Sequence, residues 1–191
     1  MNTTEKVNGV DVTQLAKTID DINIDPTLAT FRFKVSNTWD NGGHNQTIIR
    51  RFYGAKQSFD HSQPFRLEAD EPPILLGEDK GANPVEYLLT ALAGCLTTTL
   101  VYHAAARGIM VRSVESELEG ELDLRGFLGL SDTVRKGYKT IRVRFRIDSD
   151  APQNMLDTLI KLAKEHSPVH DMLSKPVDIS VSAERIVNTA H

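Results

Sequence analysis

Residues 83–108 read NPVEYLLTALAGCLTTTLVYHAAARG, the longest apolar run in the chain. Asn83 suits a helix N-cap and Pro84 the first helical position, where its missing N–H costs nothing. Gly108 is a natural stop at the other end. Between them Val85, Leu88, Leu89, Leu92, Leu96, Leu100 and Val101 spread around most of the circumference. A helix that is apolar on most sides belongs in the middle of a structure. Glu86, four threonines and His103 interrupt the run. Membrane spans need about 20 residues with few polar breaks, so a buried core helix is expected and a membrane span is not.

Elements of a different period lie on both sides. Upstream, Asp11 caps a short helix through about Asp21, with Val12, Leu15, Ala16 and Ile19 on one face, and Pro26 ends that region. Phe31 to Thr38 and Gln46 to Tyr53 are predicted strands; Phe31, Phe33 and Val35 alternate with Arg32, Lys34 and Ser36. Asp40-Asn41-Gly42-Gly43 between them supplies a hairpin turn. Phe65 to Ala69 is a short third strand, followed by a polar loop from Asp70 to Gly81. Downstream, Val111 to Leu124 is a long strand and Arg125 to Lys139 a glycine-bearing loop. Thr140 to Asp148 is the clearest strand, Ile141, Val143, Phe145 and Ile147 opposing Arg142, Arg144 and Arg146. A helix follows to about Glu165, then a short one that Ser167-Pro168 opens, and Val177 to Ile186 closes the chain as a strand. The order implies an α+β fold with antiparallel sheets around a long central helix, not regular βαβ alternation. Residues 1–30 form a helical extension and 31–191 the main domain.

Composition excludes some classes. The chain is 40% hydrophobic and 25% charged, ordinary for a soluble globular protein. A net charge of -4 offers no basic field for nucleic acid. Met1 to Val10 has no cationic flank with an apolar run, so no signal peptide is expected, and the reducing cytoplasm is the default compartment.

Chemistry centres on Cys95, the only cysteine. Free cysteine is often a small buried hydrophobe. A reactive one needs its thiolate held by a cation, a helix N-terminus or a hydrogen-bond donor. Cys95 lies about three turns into its helix, so help must come from elsewhere in the fold or from a second subunit. The residues alone leave both readings open. His166 and His170 have a metal-compatible spacing, but Pro168 places a helix start between them, and no metal site is expected. Asp70, Glu71, Glu78 and Asp79 read as a solvated loop.

The string Gly81-Ala82-Asn83-Pro84-Val85-Glu86-Tyr87-Leu88-Leu89, with Ala91-Leu92-Ala93-Gly94-Cys95, resembles the cysteine helix of the OsmC/Ohr family, the osmotically inducible and organic hydroperoxide resistance proteins. Asp123 to Leu130 resembles a segment of a larger-chain subgroup, and His166-Ser167-Pro168-Val169 the segment that carries the family's second cysteine. The likeness covers roughly Phe31 to Ile186. It implies an OsmC-like fold in an intertwined homodimer, with sites at the subunit interface. It also implies reduction of organic hydroperoxides: a thiolate attacks the peroxide, a sulfenic acid forms, a second cysteine resolves it, and an external thiol restores the pair. An arginine and a glutamate hold the first cysteine in that scheme.

Three departures follow. Ser167 stands at the second cysteine's position and cannot resolve a sulfenic acid; its alternatives are an N-cap and a hydrogen-bond donor to Cys95. Glu86 stands one residue later than in the hydroperoxide reductases, about half a turn off the face of Cys95 and about 13 Å along the axis; its simpler role is a first-turn carboxylate. The hairpin arginine is missing. His44 lies at that turn, and Arg50, Arg51 and Arg125 are candidates by type, Arg125 foremost because glycine flanks its loop. The expected site is therefore Cys95, Glu86, Ser167 and Arg125. The expected function is a one-cysteine, thiol-dependent hydroperoxide reductase that needs no cofactor beyond an external thiol. The alternative is a binding protein for a small apolar or electrophilic ligand in the same pocket.

Overall fold

The computed structural model describes residues 6–186. Met1 to Glu5, half of the stretch read for a signal peptide, and residues 187–191, the end of the main domain, lie outside the described residues.

The chain begins with a small hairpin, β1 (Lys6–Val7) and β2 (Val10–Asp11), and enters α1 (Val12–Ile24). Asp11 caps α1 as expected, its side chain accepting from the Gln14 backbone N–H. Asn8 fastens this arm to the rest: its side chain donates to the Ile109 carbonyl and accepts from the Val111 N–H, both at 2.8 Å.

An antiparallel sheet follows: β3 (Arg32–Phe33), β4 (Ser36–Asn41), β5 (His44–Gly54) and β6 (Gln57–Ala69). β5 is central, with β6 along one edge and β3 and β4 in succession along the other. Two expectations change here. The strand predicted over 31–38 is two pieces, broken at Lys34–Val35. The third strand starts at Gln57 and not at Phe65, because Ala55 and Lys56 fold the chain back at once with φ of 43° and 66°. Residues with a Cβ seldom adopt that conformation, so the sequence carries no turn signal there.

α2 (Pro84–Ala105) has the predicted start. Asn83 and Glu86 form a reciprocal capping box, each side chain satisfying a backbone N–H of the first turn. β7 (Ser113–Glu121), α3 (Leu124–Phe127), β8 (Thr140–Asp148), α4 (Gln153–His166) and α5 (Pro168–Ser174) complete the described elements. β7 and β8 pair from Ser113↔Asp148 to Glu121↔Thr140. One face carries Glu115, Glu117 and Glu119 opposite Arg146, Arg144 and Arg142. The exposed ion pairs among them, Arg146 with Glu115 and Glu117 and Arg142 with Glu119, are worth about 0–1 kcal/mol each, so the other face holds the structure. It lays Val114, Leu118, Ile141 and Phe145 on a core of Leu92, Leu96, Leu100 and Ala104 from α2 with Leu159 and Ala163 from α4. α2 has the length and apolarity of a membrane span, but its leucine stripe is this core.

The closing strand expected over 177–186 is absent. That segment has no strand partner, and Val177, Ile179, Val181 and Ile186 are exposed. Its alternation is that of a strand, but among the described residues it pairs with no sheet edge.

Candidate functional site

Ser167 sits where α4 hands over to α5. It is the C-cap of one helix and the N-cap of the next, accepting from the His170 N–H at 3.2 Å, with Pro168 at the first helical position. Two helices therefore fix its position, and it is 1% exposed. Its Oγ donates to Cys95 Sγ at 3.1 Å. Cys95 itself is partly buried, and its carbonyl accepts from Thr99 Oγ at 2.8 Å.

Beside this pair runs a groove of about 660 Å³ between α2, β8, α4 and α5, floored by Leu92, Leu96, Ile141, Phe145, Ile160 and Leu173. Leu92 and Leu96, near Cys95 on α2, and His170, near Ser167 on α5, line this largely apolar space; Cys95 and Ser167 themselves do not. The rings of His103 and His166 meet further along the same junction, 5.0 Å between centroids and tilted by 42°. Burial first, then the charges of Arg107 and His166, hold the His103 imidazole below its ordinary value.

Of the expected site residues, Cys95 and Ser167 come together. Glu86 does not join them: its carboxylate accepts from the Asn83 N–H at 2.8 Å, completing the capping box. Arg125 is 64% exposed, and its guanidinium grips Asp123. That cation holds the Asp123 carboxyl far below the usual carboxylate range. Arg51 pairs with Asp60 at 3.3 Å. His44 is engaged by Asp40 and Glu68. His170 contributes its backbone N–H to Ser167 and its side chain to the groove wall. Among the described residues no cluster of three or more His, Cys, Asp or Glu could hold a metal.

Asp70 departs from the solvated loop expected of it. It is not solvated but 2% exposed. Oδ1 accepts from the Glu71 N–H, and Oδ2 from the Glu78 and Lys80 N–H groups, at 2.8–3.2 Å. Burial pushes its carboxyl up, yet these donors together hold it below the ordinary value. Asp70 thereby sets the loop that delivers Asn83 to the start of α2. An acid in an acidic, Pro-bearing loop gives no sign of this.

The sequence profile described as OsmC-like protein matches residues 77–182, more than half of the chain. This chain belongs to the OsmC-like family. No curated protein sequence matches it. Solved structures share the fold. An OsmC-like protein from Mycoplasma pneumoniae aligns at 16% identity with a TM-score of 0.59, over 76% of this chain and 89% of that one. An OsmC-like protein of unknown function from Vibrio cholerae gives 14% and 0.57, over 73% and 92%. An organic hydroperoxide resistance protein OsmC from Legionella pneumophila gives 20% and 0.53, over 76% and 93%. The OsmC-like fold expected from the cysteine helix is thus the observed one.

Proposed function

We propose that this OsmC-like chain is a one-cysteine, thiol-dependent reductase of organic hydroperoxides. The observation that carries the reading is the Ser167 Oγ to Cys95 Sγ hydrogen bond beside an apolar groove. The Cys95 thiolate attacks the terminal peroxide oxygen. The O–O bond breaks, the alkoxide takes a proton and leaves as an alcohol, and Cys95 becomes a sulfenic acid. An external thiol condenses with it, releasing water, and a second thiol frees Cys95 as the external disulfide departs. Ser167 holds the thiolate; Glu86 and Arg125 act at most through a second subunit. Such thiols belong in a reducing cytoplasm.

The working unit we infer is a homodimer. The chain exposes 14606 Å², whereas a monomeric protein of its mass exposes about 9,100 Å². Phe31, Phe33, Phe52 and Phe59 form a continuous ring strip on the β3–β6 sheet, centroids 5.1–6.4 Å apart, with Phe33 77% exposed. A second copy is the natural cover. Residues 1–30 are an extension to an OsmC-like domain of 31–191.

A second reading has its own support. Glu86 and Arg125 are both occupied locally, which suits a pocket that binds a small apolar or electrophilic ligand without turnover. Consumption of tert-butyl hydroperoxide with an external thiol separates the two. Turnover should vanish in Cys95→Ser and fall in Ser167→Ala, with iodoacetamide alkylation of Cys95 slowing in parallel. Equal, slow consumption by wild type and Cys95→Ser would sink the reductase reading; ligand binding retained in Cys95→Ser would favour the second. Ser167→Cys should form a disulfide with Cys95 under mild oxidant.

A further inference from the structure

The tip of the β4–β5 hairpin is held by one imidazole. His44, the first residue of β5, is placed between two carboxylates: Nδ1 lies 2.9 Å from Asp40 Oδ2 on β4, and Nε2 lies 2.9 Å from Glu68 Oε2 on β6. An ionised carboxylate only accepts hydrogen bonds. Both contacts therefore require both ring nitrogens to carry a proton, which is the imidazolium. A neutral ring has one N–H and must turn a lone pair on one of the two carboxylates. The ring is 17% exposed, so water screens the mismatch poorly.

The surroundings keep the carboxylates in place. Glu68 Oε1 accepts from Gln46 Nε2 at 2.6 Å, and Arg66 donates to the same glutamine's Oε1 at 3.3 Å. On the far side of the tip, a Cβ built on Gly43 would meet Asp70 Oδ1 at 3.0 Å and Glu71 Cγ at 3.1 Å. The turn is thus seated on the loop that enters α2. The charged groups around the ring are Asp40 from β4, Glu68 from β6, and Asp70, Glu71 and Lys80 from the loop. Lys80 is itself paired with Glu78 at 2.5 Å. Arg66, on β6, reaches this cluster through Gln46.

We propose that His44 is a protonation-gated clasp: as imidazolium it ties the β4–β5 tip to β6 and seats it on the loop before α2, and loss of one proton frees the tip. The Asp40 hydrogen bond, against the cost of burial and with help from Glu68, raises His44 above its ordinary value. A raised group contributes its full stabilisation below the unfolded value of about 6.5 and loses it as pH rises through the folded value. The clasp is closed in acid and opens on the alkaline side.

Histidine-labelled NMR on the full chain tests this without reference to Cys95. Well below pH ~6.5 both His44 nitrogens should show N–H character, the ring should titrate above about 6.5, and amide protection over 41–45 should drop across that same midpoint. Asp40→Asn with Glu68→Gln should return the midpoint to the reference and flatten the protection. Asp40→Asn alone, at an exposed turn, gives the same readout if the double variant folds poorly. A midpoint at or below about 6.5, or protection that does not change through the midpoint, overturns the clasp.

Discussion

The two sheets of this protein treat their apolar faces differently. The β7–β8 hairpin lays Val114, Leu118, Ile141 and Phe145 on α2 and α4, and this half holds most of the buried core. The wider β3–β6 sheet has more aromatic rings but buries almost none of them; Phe33 and Phe65 are 77% and 57% exposed. The first half completes its core within one chain. The second has an apolar surface looking for a cover, at a cost of roughly 25 cal/mol for each Å² left in water. The profile match, over residues 77–182, falls on the self-sufficient half.

Substitutions in the two halves can break that contrast. Leu159→Ala, in the closed core, should cost about 2–5 kcal/mol in urea unfolding. Phe33→Ala should cost the dissociated chain under about 0.5 kcal/mol and weaken self-association in sedimentation equilibrium. Equal losses at high dilution would mean that the sheet face is already covered within one chain. A smaller effect falls at the seam between the halves. Asp70→Asn should lower the melting temperature by a few degrees at pH 7 and flatten the acid limb. The Asp70 carboxyl is depressed in the fold, so its contribution is present above the unfolded value of about 3.9 and is lost as pH falls through the folded one. Wild type and Asp70→Asn losing stability in parallel below pH 4 would refute that role. The smallest change is Glu86→Ala, about 0.3–1 kcal/mol from the helix start, with Cys95 alkylation unchanged. Slower alkylation would bring Glu86 back to the thiol.

The contrast also explains what the sequence disclosed. Asn83-Pro84, Ser167-Pro168 and the 140–148 alternation are local signals backed by a local core, and they were legible to within a few residues. The β6 start was not, because Ala55 and Lys56 turn at positive φ without glycine. The 177–186 alternation is that of a strand, but pairing depends on an edge that no single stretch of sequence supplies. At the site, Cys95 and Ser167 were found through their motif. Asp70 and His44 were not given their roles, because each acts through long-range partners: backbone N–H groups up to ten residues on, or a carboxylate 24 residues away.

The Asn8 anchor sets an order of events. Its partners, Ile109 and Val111, follow it by 101 and 103 residues. At a synthesis rate of roughly 5–20 residues per second, the arm waits on the order of 5–20 s for its docking site. Closing so long a loop is also a late step in folding from denaturant. The Asn8 arm is thus among the last parts to be fastened.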